Sequence, residues 1–349
     1  MAVPSTNVGL SNIQTEFGGS NPIALSEYYL GGPLVSPGTP APNGPIPASG
    51  QIAIGQFRGA AAVVSFDYLV IAGGGGGGNR GSGGGGGAGG FRTSFPGGTK
   101  LSFGPGPVSI TVGNGGAGVS NPVPDPGGRG SQGGPSIFST ITSTGGGGGG
   151  GFPAATGGPG GSGGGAGGIV PGFGNGNTPP VSPSQGNNGA NGVPSPQAAG
   201  GGGGAGSAGT AGTPTSGGPG GNGLANSING TSTTRGGGGG GGGNDAGVPV
   251  SGGTGGPGGG GTGMQDANPS GGSSGGSDGT VNTGGGGGGG GQINPSKQGG
   301  SGIVIVRTEG SNGPRISVSP GTNTKTTSPA PDGSATILTF TVPGSFTIT

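Results

Sequence analysis

The sequence predicts a mostly irregular fold: a bundle of polyglycine II helices on a small antiparallel β base, with a short helical or irregular N-terminal segment and a β C-terminal tail. Three observations predict it. Near-pure glycine runs of similar length recur at 73–78, 83–87, 145–151, 200–204, 236–243 and 284–291. The stretches between them hold turn formers and a few apolar residues, as connecting loops do. Segments that alternate apolar and polar residues, as half-buried strands do, feed both ends of the glycine region.

The runs themselves admit two readings. A Gly-rich chain is by default a flexible, solvated linker, because glycine loses the most conformational freedom on folding and buries no side chain. The alternative is an ordered bundle. A polyglycine helix of the polyproline II type makes no internal hydrogen bonds and points its N–H and C=O groups outward. Without Cβ atoms, neighbouring helices can approach until backbone bonds to backbone. Similar run lengths favour the bundle, since a linker needs no length control. Collagen is excluded by the lack of a sustained Gly-X-Y register. G-x-G-x-x-G matches inside glycine runs carry no information.

Composition narrows the function classes. The chain has 112 glycines and 34 prolines in 349 residues, 25% hydrophobic and 5% charged residues, and a net charge of +1. No basic field marks a nucleic-acid partner, and the low charge is unlike a solvated disordered chain. There is no Cys and no His, which removes the usual zinc sites and Ser-His or Cys-His catalytic pairs. The acids are scattered, whereas glycoside cleavage requires two carboxylates at a defined separation. The chain therefore reads as a non-enzyme without catalytic residues, metal or cofactor. No apolar stretch is long enough for a transmembrane helix, so membrane insertion is not expected. No signal peptide is visible at the N-terminus.

Residues 1–62 read as an attachment region. Ile23-Ala24-Leu25-Ser26-Glu27-Tyr28 repeats about 29 residues later as Ile52-Ala53-Ile54-Gly55-Gln56-Phe57. The first copy predicts a short helix, with Ser26 near its N-cap and Gly31 or Gly32 closing it; Ser11–Gly19 has the same look. A piece this small is either a packed cap on the following sheet or a docking element, with Phe17, Tyr28, Tyr29 and Phe57 as attachment candidates.

The glycine-rich domain covers 63–307. Its β base comprises 63–72, 91–142 and 303–307, and its bundle 73–90 and 145–302. If each run is one pass, loops 152–156, 207–216, 244–251 and 280–283 fall away from the strands. Loops 169–199, 224–235, 264–270 and 292–298 then fall at the other end, unless the long runs 157–168 and 252–263 fold back and change the count. The second set carries more side chains. Ile169, Phe173, Leu224, Ile228, Met264 and Ile293 are its receptor-contact candidates. Residues 308–349 form the tail, with strands at 316–318, 336–342 and 345–349, the last two as a hairpin around Pro343-Gly344. The terminal strand is expected to pair with the β base or with another copy.

Tyr68-Leu69-Val70-Ile71-Ala72 followed by glycines, Gly85-Gly86-Gly87-Ala88-Gly89-Gly90-Phe91-Arg92-Thr93 and Gly300-Ser301-Gly302-Ile303-Val304-Ile305-Val306-Arg307 carry a resemblance. So do Thr111–Gly118 and the N-terminal Ile13–Gly19 and Leu25–Tyr29. Over most of residues 8–307 the chain resembles the glycine-rich repeat domain of phage virion proteins of marine and cyanobacterial phages. It is similar to tail-fibre adhesins built on polyglycine helices. The resemblance implies a virion protein, on a tail or surface appendage and outside the host cell when acting. It would display variable loops to a host surface protein or glycan, with other virion proteins bound through its N-terminal region and homo-oligomerisation left open. A non-adhesive virion part, such as a capsid decoration, collar or fibre joint, is the alternative.

Overall fold

The computed structural model describes residues 2–79, 81–120, 128–151, 156–168, 172–194, 197–243, 250–266, 273–291, 295–330 and 333–349. Its regular structure is mainly antiparallel β. One sheet runs in the order Thr324–Ala330, Gly333–Phe340, Ile303–Glu309, Val64–Ile71, Phe91–Thr93, and Leu101–Phe103 pairs with the first half of Val64–Ile71. The other runs Ile316–Ser319, Gly344–Ile348, Gly106–Thr111, Ser136–Phe138, Ile141–Ser143.

The strand Val64–Ile71 shows why the sheets stack. Alternate residues point to opposite faces of a strand. Phe66, Tyr68 and Val70 meet Phe138 and Phe346 of the facing sheet in one buried cluster. Leu69 and Ile71 point the other way, into a second cluster with Ile305, Ile337, Phe91 and Ile228. The strand is thus buried on both faces, which suits its nearly unbroken apolar sequence. Ser136 Oγ donates to the Ile71 carbonyl at 2.8 Å and Ser143 Oγ to that of Val70 at 2.7 Å, tying the sheets together where the glycines begin.

This architecture corrects the expected one. The described residues do not form polyglycine helices on a small β base. The sheets draw strands from residue 64 to residue 348, and the tail supplies members of both. Among the described residues the helices are Leu10–Phe17 and the 3-10 turns Leu25–Tyr28, Ile54–Phe57 and Gly310–Arg315, none inside a glycine run. The tail hairpin is also corrected. Gly333–Phe340 pairs with Ile303–Glu309 in one sheet, while Gly344–Ile348 pairs with Gly106–Thr111 in the other. The chain crosses between sheets at Pro343, and the last strand is flanked on both sides within its own chain.

The described glycine segments outside the strands carry no regular element. They are joined by backbone hydrogen bonds between residues distant in sequence. The bonds of 83–90 rotate through three neighbours: Gly83, Gly86 and Gly89 donate to Gly290, Gly287 and Gly284; Gly84 and Gly87 to Gly150 and Gly147; Gly85 and Ala88 to Gly200 and Gly203. Its carbonyls accept from Gly75, Gly165 and Gly239 on three further segments. Segments 73–79, 145–151, 162–168, 199–204, 236–243 and 284–290 therefore surround 83–90 in an array. A Cβ on Gly75 would fall on the Gly147 carbonyl, and one on Gly86 on that of Gly75. Glycine is required at these positions because the backbones touch.

The N-terminal module has its own core of Val3, Ile13, Phe17, Tyr28, Val35, Ile46, Phe57 and Ala60. The sequence repeat is a structural one. In both copies a 3-10 turn begins after an alanine, Ala24 or Ala53. That residue's N–H donates to the side chain three residues on, Glu27 at 3.2 Å or Gln56 at 2.8 Å. The first copy is this turn, without a cap at Ser26. The Phe57 ring meets Phe17 and Tyr28 edge-on, each at 6.2 Å. Burial, and then the charge of Glu27, raise the Tyr28 phenol above its ordinary pKa. Arg315 lies 3.5 Å from Glu16 and donates to the Thr349 and Ala62 carbonyls, which fixes the module to the sandwich.

Candidate functional site

The array has two ends, and its hydrogen bonds tell them apart. Gly73 continues the strand Val64–Ile71, so 73–79 leads away from the sheets. Gly290 donates to Gly78, Gly242 to Gly83 and Gly168 to Ser82, which places these residues at the distal end too. Gly90, Gly134 and Gly302 lead back into strands.

The distal end is built from turns and short hairpins. Val193–Pro194 pairs with Gln197–Ala198, and Met264–Asp266 with Ser273–Gly275. The turn 213–216 is closed by Thr213 N–H donating to Ser216 O at 2.8 Å. Polar side chains tie the rim. Ser296 Oγ accepts from Val119 N–H at 2.8 Å and donates to Gly77 O at 2.7 Å. Arg129 donates through Nε to Thr156 O at 2.7 Å and through Nη2 to Thr156 Oγ1 at 2.9 Å. Asn191 Oδ1 accepts from Gly172 N–H beside Phe173, whose ring is 38% exposed. Such a surface offers hydroxyl, amide and a few apolar contacts. Among the described residues no group of three metal-ligating side chains gathers anywhere.

The expected sorting of loops is corrected. The turn 281–284 lies at the sheet end, with Gly284 N–H on Ser301 O, while the Met264–Asp266 hairpin is distal, with Met264 N–H on Gly289 O. Loop 169–199 serves both ends: its turn 178–185 sits near Thr144 at the sheets and its hairpin is distal. The cause is folding back within the long runs. Gly164 N–H donates to Gly158 O across the bend at Pro159, and Gly263 N–H to Gly253 O across the bend at Pro257. A proline stands at each bend, but the same Gly-Gly-Pro-Gly-Gly at 217–221 runs on without one, so the proline alone does not mark them.

The receptor-contact candidates are thereby separated. Phe173 is exposed at the distal end. Met264 is distal but only 4% exposed. Leu224 is exposed on the hairpin Leu224–Asn226/Thr233–Arg235, at the sheet end. Ile228 is corrected: it is fully buried against the sheet, and its carbonyl accepts from Arg307 Nη1 at 3.1 Å. Ile169 and Ile293 lie outside the described residues; the segments ending at Gly168 and Gly291 that lead to them are distal. Among the attachment candidates, Phe17, Tyr28 and Phe57 are corrected to core residues, since the module needs its few aromatics for its own interior. Tyr29 stays half-buried at the surface, donating to Gly50 O at 2.5 Å and lining a groove with Pro33 and Leu34.

Sequence reasoning missed Arg129, Thr156, Asn191 and Ser296. A charged or amide residue set among glycines and prolines is the signal that could have found Arg129 and Asn191; nothing in the sequence sets Thr156 and Ser296 apart from the other hydroxyl residues of the loops. A second cleft, at the sheet end, is lined by Asp67, Phe95, Lys100, Arg307 and Glu309. Asp67 and Arg307 are buried here: Asp67 accepts from Ser94 Oγ at 2.9 Å and pairs with the exposed Lys100 at 3.4 Å, and Arg307 stands 5.0 Å over the Phe95 ring. These contacts clamp loop 95–100 onto the sheet, and the Arg307 bond to the Ile228 carbonyl holds the hairpin there. Nearby Arg235 is 8% exposed, and burial lowers its pKa below the ordinary guanidinium value.

With this geometry in view, the family model described as glycine-rich domain matches residues 53–309, from the second N-terminal turn through the strand Ile303–Glu309. The chain belongs to the glycine-rich domain family. The match spans the whole array and the strands that lead into it, and stops before the tail strands that complete the sandwich. No curated protein and no solved structure matches the chain.

Proposed function

We propose that this glycine-rich protein is a display scaffold, a virion structural protein of the tail-fibre or tail-tip adhesin kind. In this reading it binds a protein or glycan on a host surface through its distal turns. The observation that carries the display reading is polarity. The N-terminal module and the sandwich share one end, joined through Arg315, and the turns and hairpins around Phe173, Val193–Pro194 and Met264–Asp266 lie at the other. A rigid body between them lets distal loops vary without disturbing the attached end. The virion setting is supported by the sequence resemblance alone, as is the assignment of other virion proteins as partners of residues 1–62.

The test has two arms. Purified protein is expected to compete with phage particles for adsorption to host cells. Replacing the turn 213–216 and the hairpin residues 193–198 is expected to change which cells are bound while leaving the melting temperature in place. Absence of competition at saturating protein would point to a non-adhesive virion part.

A further inference from the structure

Around the inner segments runs an outer layer of glycine segments, and its members are bonded to one another in sequence around the array. Ser131 and Gly134 donate to Ala117 and Asn114; Gly299 to Gly116; Gly279 to Gln298; Ser277 to Thr262; Gly263 to Gly253; Gly220 to Thr254; Thr210 to Pro219; Gly209 to Asn188; Gly189 to Gly174; and Gly160 to Asn175. Among the described residues this circuit closes everywhere except between 128–134 and 156–161, where no backbone bond joins the neighbours and the Arg129 side chain alone reaches across, to Thr156 at the distal rim.

Beneath the opening lies the inner segment 145–151. Gly146, Gly147, Gly149 and Gly150 donate to Gly73, Ser162, Gly76 and Gly165, while the N–H groups of Gly145 and Gly148 have no partner among the described residues. The unpaired donors are three residues apart, the spacing at which each filled direction of the array is served. Both residues are buried. Buried backbone donors are nearly always paired, so two in register mark a missing acceptor. The opening is a groove of about 500 Å³, with Gly148 in its floor and Gly130, Gln132, Gly158 and Pro159 in its walls. A Cβ built on Gly158 meets Gly148 N at 3.2 Å, a tight contact but not the overlap with a carbonyl that the interior glycines show.

We propose that the groove is a docking site for an extended glycine-rich segment of another polypeptide. That segment completes the outer layer by accepting hydrogen bonds from Gly145 and Gly148. Among the described residues every other position of the layer is filled by an extended, mostly Gly-rich segment, and only a chain bare of side chains on the approaching face comes close enough to reach these donors. The site is independent of the receptor reading and lies on the flank of the array.

The experiment titrates the full chain with a lysine-flanked octaglycine peptide and follows its amide resonances. The Gly145 and Gly148 amides are expected to shift saturably and to exchange roughly tenfold more slowly when the peptide is bound. A matched octa-alanine peptide is expected to leave them in place. Gln132→Phe, which fills the groove from an exposed wall residue, and Gly158→Leu, which fills it from the opposite wall, are each expected to abolish the shifts. If Gly158→Leu fails to fold, Gln132→Phe decides alone. Unmoved amides, equal binding of the alanine peptide, or shifts that survive Gln132→Phe in a folded protein would each overturn the proposal and leave the groove a hydrated seam.

Discussion

In the sandwich, Phe66, Phe138 and Phe340 converge on Phe346 with ring centroids 5.0, 6.2 and 6.4 Å away. Seven residues beyond Phe66 on the same chain, Gly73 has no side chain, and its Cα lies against the backbone of Asn114. The sandwich holds by removing apolar side chains from water; the array holds by satisfying N–H and C=O groups between backbones in contact. The two regions should therefore fail in opposite ways. A sandwich position suffers when atoms are removed, by an amount graded with the cavity left behind. An array position suffers when atoms are added, and the damage is abrupt because the atom in the way is a neighbouring carbonyl.

The strongest way to break this comparison is Gly86→Val in the central segment. The branched side chain would fall on the Gly75 carbonyl. The array is expected to lose more than about 4–5 kcal/mol, enough to unfold it. Hydrogen exchange across residues 145–291 is the readout, and a variant with native protection there would refute the close-contact account. Next is Phe346→Ala, which empties the centre of the sandwich. A loss of about 3–5 kcal/mol in urea unfolding is expected. Slow exchange retained in the array at that loss would show that the two regions unfold separately.

Ser136→Ala sharpens the comparison at the junction. Its hydroxyl accepts from Gly113 N–H at 2.9 Å and donates to Ile71 O, so removal strands the Gly113 N–H, while Ile71 keeps its place in the ladder with Ile303. About 1–2 kcal/mol is expected, from one unsatisfied buried group and one lost tie between the sheets. A loss under half that amount would mean that water replaces the hydroxyl. The smallest effect should come from Thr254→Val. Thr254 sits in an outer segment with its side chain exposed, between Gly253 and Gly256, which are buried. Melting is expected to reveal a change within about 0.5 kcal/mol. A larger loss would show that the outer layer is packed against something in solution.

Much of the sandwich was legible because its strands declare themselves by alternation. The segment 63–72 reads as a strand and is Val64–Ile71; 303–307 reads as a strand and is Ile303–Glu309. The pairing was not legible. Gly333–Phe340 and Gly344–Ile348 read as a hairpin because they are adjacent, and nothing local says that they belong to different sheets. Leu101–Phe103 and Thr324–Ala330 are too short or too polar to stand out. At the candidate site the same limit applies. Ile228 and Phe173 look alike in sequence, as single apolar residues in Gly- and Asn-rich loops. One is buried under a hairpin and the other is exposed, because one loop lies against a sheet and the other points away from it.

The sequence by itself determined where side chains are absent, and hence where the chain can approach another backbone closely. It also determined where apolar alternation forces a strand to bury a face. Only the tertiary structure decided which glycine segment lies beside which, and therefore which loops share an end. It also left one stretch of the outer layer open above Gly145 and Gly148. The reason is that glycine segments are nearly interchangeable as partners: their hydrogen bonds carry no side-chain identity. Their order in space is set by the strands and proline bends that deliver them.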